Sequence, residues 1–233
     1  GPGNDTYERN LQDDGFTPGQ FGAFVTVDLV EGELYGADFP DDPDIILNFE
    51  NARLRGEENF NLVGTDGDNR LQADQGDDTL IGAGGNDTLF DGAGDDSVDA
   101  GAGDDVVITQ GGTDTYIGGD GNDTLVTDVN GIAFNTAEID LVAGIQGRVG
   151  STVGQDSLSG FENVDFYGEW NVIITGDGND NFLRSDAGDD TLIGGDGDDR
   201  LQAGSGDDSL DGGDGRDRLF GGDGNDTLDA SGG

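Results

Sequence analysis

Aspartate recurs every ninth residue through two long stretches of this 233-residue chain. In the first stretch the series is Asn69, Asp78, Asp87, Asp96, Asp105, Asp114 and Asp123. In the second it reads Asp180, Asp190, Asp199, Asp208, Asp217 and Asp226, with one extra residue between its first two members. Each acid closes a glycine-rich run such as GGDGND at 118–123. Carboxylates and glycine carbonyls offer oxygen and nothing else. The chain has no histidine, cysteine or methionine, so it holds no Ser-His triad, no thiol nucleophile and no ordinary zinc site. Paired carboxylates can act as general acid and base, but a strict period assigns them to a repeated task. An all-oxygen ligand set suits calcium, which takes six to eight oxygens at about 2.3–2.6 Å, better than magnesium, which keeps its own waters.

These acids need elements to hold them. The nonapeptides begin at Gly64, Ala73, Gly82, Asp91, Ala100, Thr109 and Gly118; a second array begins near Thr175 and keeps step from Ser185 to Asp229. Two places after each acid of the first array stands an apolar residue: Leu71, Leu80, Leu89, Val98, Val107, Tyr116 and Leu125. Leu201, Leu210, Leu219 and Leu228 continue the beat in the second. Glycine lets a tight turn adopt positive φ. The apolar residue and its two neighbours form a strand of about three residues, with the middle side chain inward. One such strand buries almost nothing, so turns must stack. A net charge of −43 with 32% hydrophobic residues indicates disorder by composition alone; the period overrides that default.

The pattern resembles GGxGxDxUx, the nonapeptide of the RTX (repeats-in-toxin) family, in thirteen copies over about half the chain. The resemblance implies an all-β fold, a right-handed parallel β-roll or β-solenoid with two nonapeptides per coil. Loops 18 residues apart would superpose at about 4.8 Å, the spacing of paired strands. Two aspartates so placed repel unless a cation lies between them. In the family, a lower loop gives its second and fourth carbonyls and its sixth-place acid. The loop above gives its first and third carbonyls and its own acid.

Carried onto this chain, that rule implies nine calcium sites, with further ions plausible at the roll ends. In the first array Thr65, Gly67 and Asn69 face Gly82, Gly84 and Asp87; Asp74, Gly76 and Asp78 face Asp91, Ala93 and Asp96. Ala83, Gly85 and Asp87 face Ala100, Ala102 and Asp105; Gly92, Gly94 and Asp96 face Thr109, Gly111 and Asp114; Gly101, Gly103 and Asp105 face Gly118, Asp120 and Asp123. In the second array Gly176, Gly178 and Asp180 face Gly194, Asp196 and Asp199; Asp186, Gly188 and Asp190 face Ala203, Ser205 and Asp208. Gly195, Gly197 and Asp199 face Gly212, Asp214 and Asp217; Gly204, Gly206 and Asp208 face Gly221, Asp223 and Asp226. Asn69 makes the 69/87 pair the weaker one, and the extra residue near Arg184 leaves the 180/199 pair open. The fifth places, such as Asp189, are expected to face solvent. Acid near pH 4 is expected to expel the metal and unfold the chain.

A longer duplication lies over the nonapeptides. VDLVEG at 27–32 matches IDLVAG at 139–144, and FENARLRGEENFNLVG at 49–64 matches FENVDFYGEWNVIITG at 161–176, both 112 residues apart. The expected organisation is a lead of 1–21, a first module of 22–126 with its cap at 22–63 and nonapeptides at 64–126, and a second of 127–233. The second has linker and cap at 127–174, nonapeptides at 175–229 and a truncated end at 230–233. GPG at 1–3 reads as a protease scar and GNDTY at 3–7 as the end of an earlier array, so a fragment of a larger protein is expected. Phe49, Phe60, Phe161, Phe166, Tyr167, Trp170 and Phe182 stand just ahead of the arrays and are read as caps on the solenoid ends.

The seventh and ninth places of one sheet put Phe90, Val106, Ile108 and Val126 outward, either beneath residues 127–150 or as a docking face for a neighbouring module or partner. The acidity argues against nucleic acid, and no apolar run reaches the length of a membrane span. The resemblance implies a secreted or cell-surface bacterial protein leaving by type I secretion, with calcium and neighbouring modules of the same chain as partners. An adhesive or stalk role and the non-catalytic tail of a secreted protease, lipase or alginate-modifying enzyme both fit. The mostly charged fifth-place row speaks against ice binding. A merely halophilic surface predicts scattered acids rather than a period of nine.

Overall fold

A computed structural model describes residues 6–10, 25–28, 33–36, 44–45, 50–57, 59–128, 136–148 and 155–232. The terminal GPG, Phe49, and 129–135 with 149–154 around the segment expected to cover the outer patch lie outside the described residues. Every regular element among the described residues is a β-strand, and none is a helix long and apolar enough to cross a membrane. The chain divides into two compact units, Gly1–Gly121 and Asn122–Gly233.

The first unit holds β1 (Thr6–Asn10), β2 (Val25–Asp28), β3 (Glu33–Gly36), β4 (Asp44–Ile45), β5 (Asn51–Arg55), β6 (Phe60–Val63), β7 (Arg70–Gln72), β8 (Thr79–Ile81), β9 (Thr88–Phe90), β10 (Ser97–Ala102), β11 (Val106–Thr109) and β12 (Thr115–Asp120). One sheet runs β1-β5-β7-β9-β11, parallel throughout. The other runs β2-β6-β8-β10-β12 in parallel, with β3 and β4 added antiparallel beyond β2. Successive nonapeptides thus alternate between sheets. Val98 pairs with Leu80 on one side and Tyr116 on the other, so one coil is 18 residues.

The second unit holds β13 (Thr124–Asp128), β14 (Thr136–Asp140), β15 (Ile145–Arg148), β16 (Asp156–Ser159), β17 (Asn163–Tyr167), β18 (Asn171–Thr175), β19 (Phe182–Arg184), β20 (Thr191–Asp196), β21 (Arg200–Ser205), β22 (Ser209–Asp214), β23 (Arg218–Asp223) and β24 (Thr227–Asp229). Its sheets are β13-β17-β19-β21-β23 and β14-β18-β20-β22-β24, with β15 and β16 antiparallel beyond β14. The topology repeats that of the first unit, as the 112-residue duplication requires. The IDLVAG segment makes the turn into β15: Asp140 Oδ1 accepts the Ala143 N–H at 2.8 Å, and Gly144 takes φ 66°, a left-handed conformation that glycine adopts without a Cβ penalty.

In each unit the core is a thin seam. Leu71, Leu80, Leu89, Val98, Val107 and Tyr116 are wholly buried, as are Leu183, Leu192 and Leu201 in the second unit. Phe60, Phe161 and Phe166 are buried with them, while Tyr167, Trp170 and Phe182 are half-buried. The seam opens toward β24, where Leu228 is 47% exposed. On the outer face Phe90, Val106 and Ile108 are half-buried, and the Arg70 guanidinium lies 4.0 Å from the Phe90 ring centre.

One register expectation is corrected. β17 pairs Val164 with Leu183, and β19 pairs Leu183 with Leu201. Leu183 is therefore an inward eighth place, and the sixth place two residues earlier is Asn181, which is buried. Asp180 is exposed. The second array has no extra residue; it runs in step from Gly176, and Thr175 ends β18. Burying Leu183 rather than the bulkier Phe182 settles the choice, because a one-residue slip turns every side chain of a strand to the opposite face.

Candidate metal centre

Each glycine-rich loop delivers its sixth-place residue at the entry to a strand, buried from Asn69 to Asp123 and from Asn181 to Asp208 and half-buried at Asp217 and Asp226. Within a stack the carboxylates share a bonding scheme. The backbone N–H of one sixth-place residue donates to Oδ1 of the acid 18 residues later: Asn69 to Asp87, Asp78 to Asp96, Asp87 to Asp105 and Asp96 to Asp114, all at 2.7 Å. In the second unit Asn181 donates to Asp199 and Asp190 to Asp208 at 2.8 Å, and Asp199 to Asp217 and Asp208 to Asp226 at 3.1 Å. Phe60 and Val172 begin two of these series by donating to Asp78 at 2.7 Å and Asp190 at 2.9 Å.

Oδ1 is thus engaged, and Oδ2 is left over. The Oδ2 atoms of Asp78, Asp87, Asp96, Asp190, Asp199, Asp208 and Asp217 are buried and accept no hydrogen bond. A buried, unbonded carboxylate oxygen costs several kcal/mol unless it is protonated or meets a cation. Burial accordingly lifts Asp78 to about 8, Asp87 and Asp96 to about 7, and Asp190 and Asp199 to about 6, with stacked neighbours such as Asp96, Asp105, Asp208 and Asp217 adding repulsion. Asp105, Asp114 and Asp208 rise for the same first reason.

Backbone oxygens converge on these atoms. A Cβ on Gly82 would collide with both Asp87 Oδ2 and the Ala100 carbonyl. A Cβ on Gly194 would collide with Asp199 Oδ2 and the Gly212 carbonyl. Gly64 and Gly176 bear the same relation to Asn69 with Gly82 O and to Asn181 with Gly194 O, and Gly221 lies against Asp226. The first-place carbonyl of one loop and the sixth-place oxygen of the loop below therefore face the same small space. Ala73, Ala100 and Ala203 carry a buried methyl at the first place.

Other carbonyls hold the coils together. The second-place carbonyls of Thr65, Asp74, Ala83 and Asp186 accept from Gly84, Ala93, Ala102 and Ser205 at 2.8–3.1 Å. The third-place carbonyls of Ala93, Ala102, Gly111, Asp120, Ser205, Asp214 and Asp223 accept from the fourth-place Gly76, Gly85, Gly94, Gly103, Gly188, Gly197 and Gly206 at 2.8–3.2 Å. A carbonyl keeps a second lone pair. Among the described residues no three acidic side chains surround one metal position, so two carboxylates must be completed by backbone oxygen. The residues fit calcium in this way: orphaned Oδ2 atoms, opposed carbonyls and no softer ligand.

Four features escaped the sequence reading. Asn181 replaces Asp180 as the first sixth place of its array, and both arrays begin alike. Asn69 Oδ1 accepts the Thr65 N–H at 2.5 Å while its Nδ2 donates to the Glu50 carbonyl at 2.7 Å. Asn181 does the same with Asp177 and Glu162, both at 2.8 Å. An amide can both donate and accept, which closes the stack against a cap carbonyl where no acid precedes. Second, Glu162 of the FEN spacer stands in for a sixth-place acid, its Oε2 accepting the Asp123 N–H at 2.9 Å.

Third, the exposed fifth places form their own ladder. Asp68 Oδ1 accepts from Asn86, Asn86 Oδ1 from Asp104, Asp77 Oδ1 from Asp95, Asp180 Oδ1 from Asp198 and Asp189 Oδ1 from Asp207, at 2.8–3.1 Å. Fifth places reach up a coil while sixth places reach down. Fourth, Asp91 contributes more than the carbonyl expected of it. Its buried side chain accepts from Gly92 and Gln110 at 2.6 and 3.1 Å, and the Tyr116 hydroxyl bonds both Asp91 and Asp114. Burial lifts Asp91 to about 7. The signal was the one tyrosine in a seam of leucine and valine.

The model of the RTX calcium-binding nonapeptide repeat matches residues 61–89, 90–125, 175–210 and 202–233, more than half of the chain. The chain belongs to the RTX calcium-binding repeat family. The matched segments contain every loop whose Oδ2 is orphaned, so the repeat signature and the unsatisfied oxygens mark the same places. No curated protein matches the whole chain at a significant level. As an RTX roll, the chain is a calcium-binding β-solenoid whose repeats are of the kind typical of type I-secreted extracellular proteins. The chain has no histidine or cysteine.

Proposed function

We propose that this RTX roll is a calcium-folded structural module of an extracellular protein, serving adhesion or a stalk rather than catalysis. The observation that carries the reading is the row of buried Oδ2 atoms without a partner. Where calcium is scarce these acids ionise, repel and keep the chain unfolded. Outside the cell, at millimolar calcium, a cation between stacked acids supplies the charge they lack. The chain's own contribution is placement: Asp Oδ1 is held by the coil below, which aims Oδ2 at the carbonyl of the coil above. Modules of this kind bind at about 10⁻⁴–10⁻³ M. Each site at tenfold excess over its Kd adds about 1.4 kcal/mol by mass action, so nine sites would move the folding equilibrium decisively. Far-UV circular dichroism of the chain in chelator, then titrated with calcium at pH 7.5, tests the reading. The expected result is a disordered spectrum turning cooperatively into β-structure. A β-spectrum already complete in chelator and unchanged by calcium overturns it.

A further inference from the structure

Nine arginines oppose 52 acids in this chain, and three of the nine gather in one place. A cavity of about 420 Å³ opens where two stacked loops of the second unit turn into β21 and β23; its walls are Asp198, Asp199, Arg200, Arg216, Asp217 and Arg218. Register explains the gathering. β21 and β23 pair Arg200 with Arg218, so these two seventh-place side chains stand one above the other at about the 4.8 Å strand spacing. Like charges directly opposite are destabilising, and nothing in the seam requires arginine at either place.

Among the described residues, two of the three guanidinium groups are not taken up by neighbouring acids. Arg216 pairs with Asp198, Nη2 to Oδ2, at 3.1 Å. Arg218 makes no ion pair among the described residues. Arg200 lies against aromatic rings instead, 5.1 Å from the centre of Phe182 and 5.7 Å from that of Phe220, which steadies the side chain and leaves its N–H edge open. Three acids and three arginines make the wall neutral. A dication held between Asp199 and Asp217 changes it to a net charge of two positive units.

We infer that the calcium-loaded Asp199–Asp217 loop pair forms, together with Arg200 and Arg218, a binding site for a tetrahedral oxyanion of the sulfate class. The inference rests on the calcium reading above. Each guanidinium presents a fork of parallel N–H donors matched to two oxygens. A carboxylate has two oxygens and fills one fork. A sulfate has four and spans both. The cavity far exceeds the roughly 30 Å³ share of one water, so it admits sulfate as an ester on a larger molecule as well as the free ion. Because the cation creates the positive wall, calcium is required before the anion, and the anion in turn tightens calcium at this pair.

The test is isothermal titration of the full chain in saturating calcium with sodium sulfate, against sodium chloride at matched ionic strength. The wild type is compared with Arg200→Gln/Arg218→Gln. Saturable sulfate binding at least tenfold weaker in the double variant is expected, with a calcium midpoint lowered two- to fivefold by sulfate in the wild type only. Circular dichroism confirms that the variant folds with calcium; should it not, Arg218→Gln alone, at an exposed residue without an ion pair, replaces it and should weaken sulfate at least threefold. A sulfated disaccharide that competes more tightly than free sulfate assigns the ester as the ligand, and the reverse order assigns the free ion. A chain that takes up calcium but binds sulfate no better than chloride, or a folded variant that binds it as the wild type does, overturns this site and leaves the calcium reading intact. A chain that takes up no calcium overturns both.

Discussion

The backbone N–H of Asp78 donates to Oδ1 of Asp96 at 2.7 Å, while Asp96 Oδ2 is buried and accepts nothing. One carboxylate thus does two jobs, fastening the coil below and facing the space between coils. Removing charge and removing the acceptor should therefore have separable effects. Asp96→Asn keeps an Oδ1 acceptor and loses the charge; it should raise the calcium midpoint at least tenfold, about 1.4 kcal/mol. Asp96→Ala also strands the buried Asp78 N–H and should cost about 1–3 kcal/mol more. Calcium-titrated circular dichroism and thermal melts check this; equal stability of the two variants at saturating calcium would sink the double role.

The raised pKa values give the pH dependence its sign. Asp78 near 8, Asp87 and Asp96 near 7, and Asp190 and Asp199 near 6 all stand above the unfolded aspartate value of about 3.9. The folded metal-free chain therefore binds more protons than the unfolded one. Their contribution is full below about pH 4 and is lost as pH rises through 6 to 8. In chelator, stability should fall from pH 5 to pH 8; in calcium it should rise over the same window, since the metal needs deprotonated acids. Acid should still release calcium, but it leaves a protonated roll that repels itself less, so the unfolding expected from sequence gives way to partial retention of β-structure. Melts at pH 5, 6.5 and 8, with and without chelator, decide it; parallel curves would contradict the sign.

Asp189 is exposed, yet its Oδ1 accepts the Asp207 N–H at 3.0 Å. Asp189→Ala should cost about 0.5–1.5 kcal/mol, and Asp189→Asn should cost little, since Asn86 fills the same role one unit earlier through its Oδ1. Both should leave the calcium midpoint within twofold of wild type, in contrast to Asp96. Denaturant melts in saturating calcium read the difference.

Ala83 takes φ 80° at a second place where Gly92, Gly101 and Gly119 take φ 101–116°. An alanine held left-handed costs about 1–2 kcal/mol. Ala83→Gly should therefore stabilise the calcium-loaded roll by about 0.5–1 kcal/mol after glycine's greater unfolded entropy is set against it. A thermal midpoint unchanged or lowered would show that the loop does not strain there.

The nonapeptide beat was enough to call for short stacked strands with an apolar seam, because a side chain buried once in nine residues is a local pattern written along the chain; the β-roll and the facing of its acids came from the resemblance of that pattern to the RTX repeat. Which of two adjacent residues faces inward was divided there between residue type and spacing: Asp180 is the acid but stands ten residues before Asp190, Asn181 keeps the period of nine, and the pairing of Val164 with Leu183 places Asn181 inward. The partner of each oxygen was equally hidden. Asp189 reaches a backbone N–H 18 residues away, Asn181 a carbonyl 19 away, and Tyr116 a carboxylate 25 away. Periodicity shows which residues repeat; coil-to-coil hydrogen bonds join atoms distant in sequence, so only the closed stack decides which oxygens are satisfied and which are left for a cation.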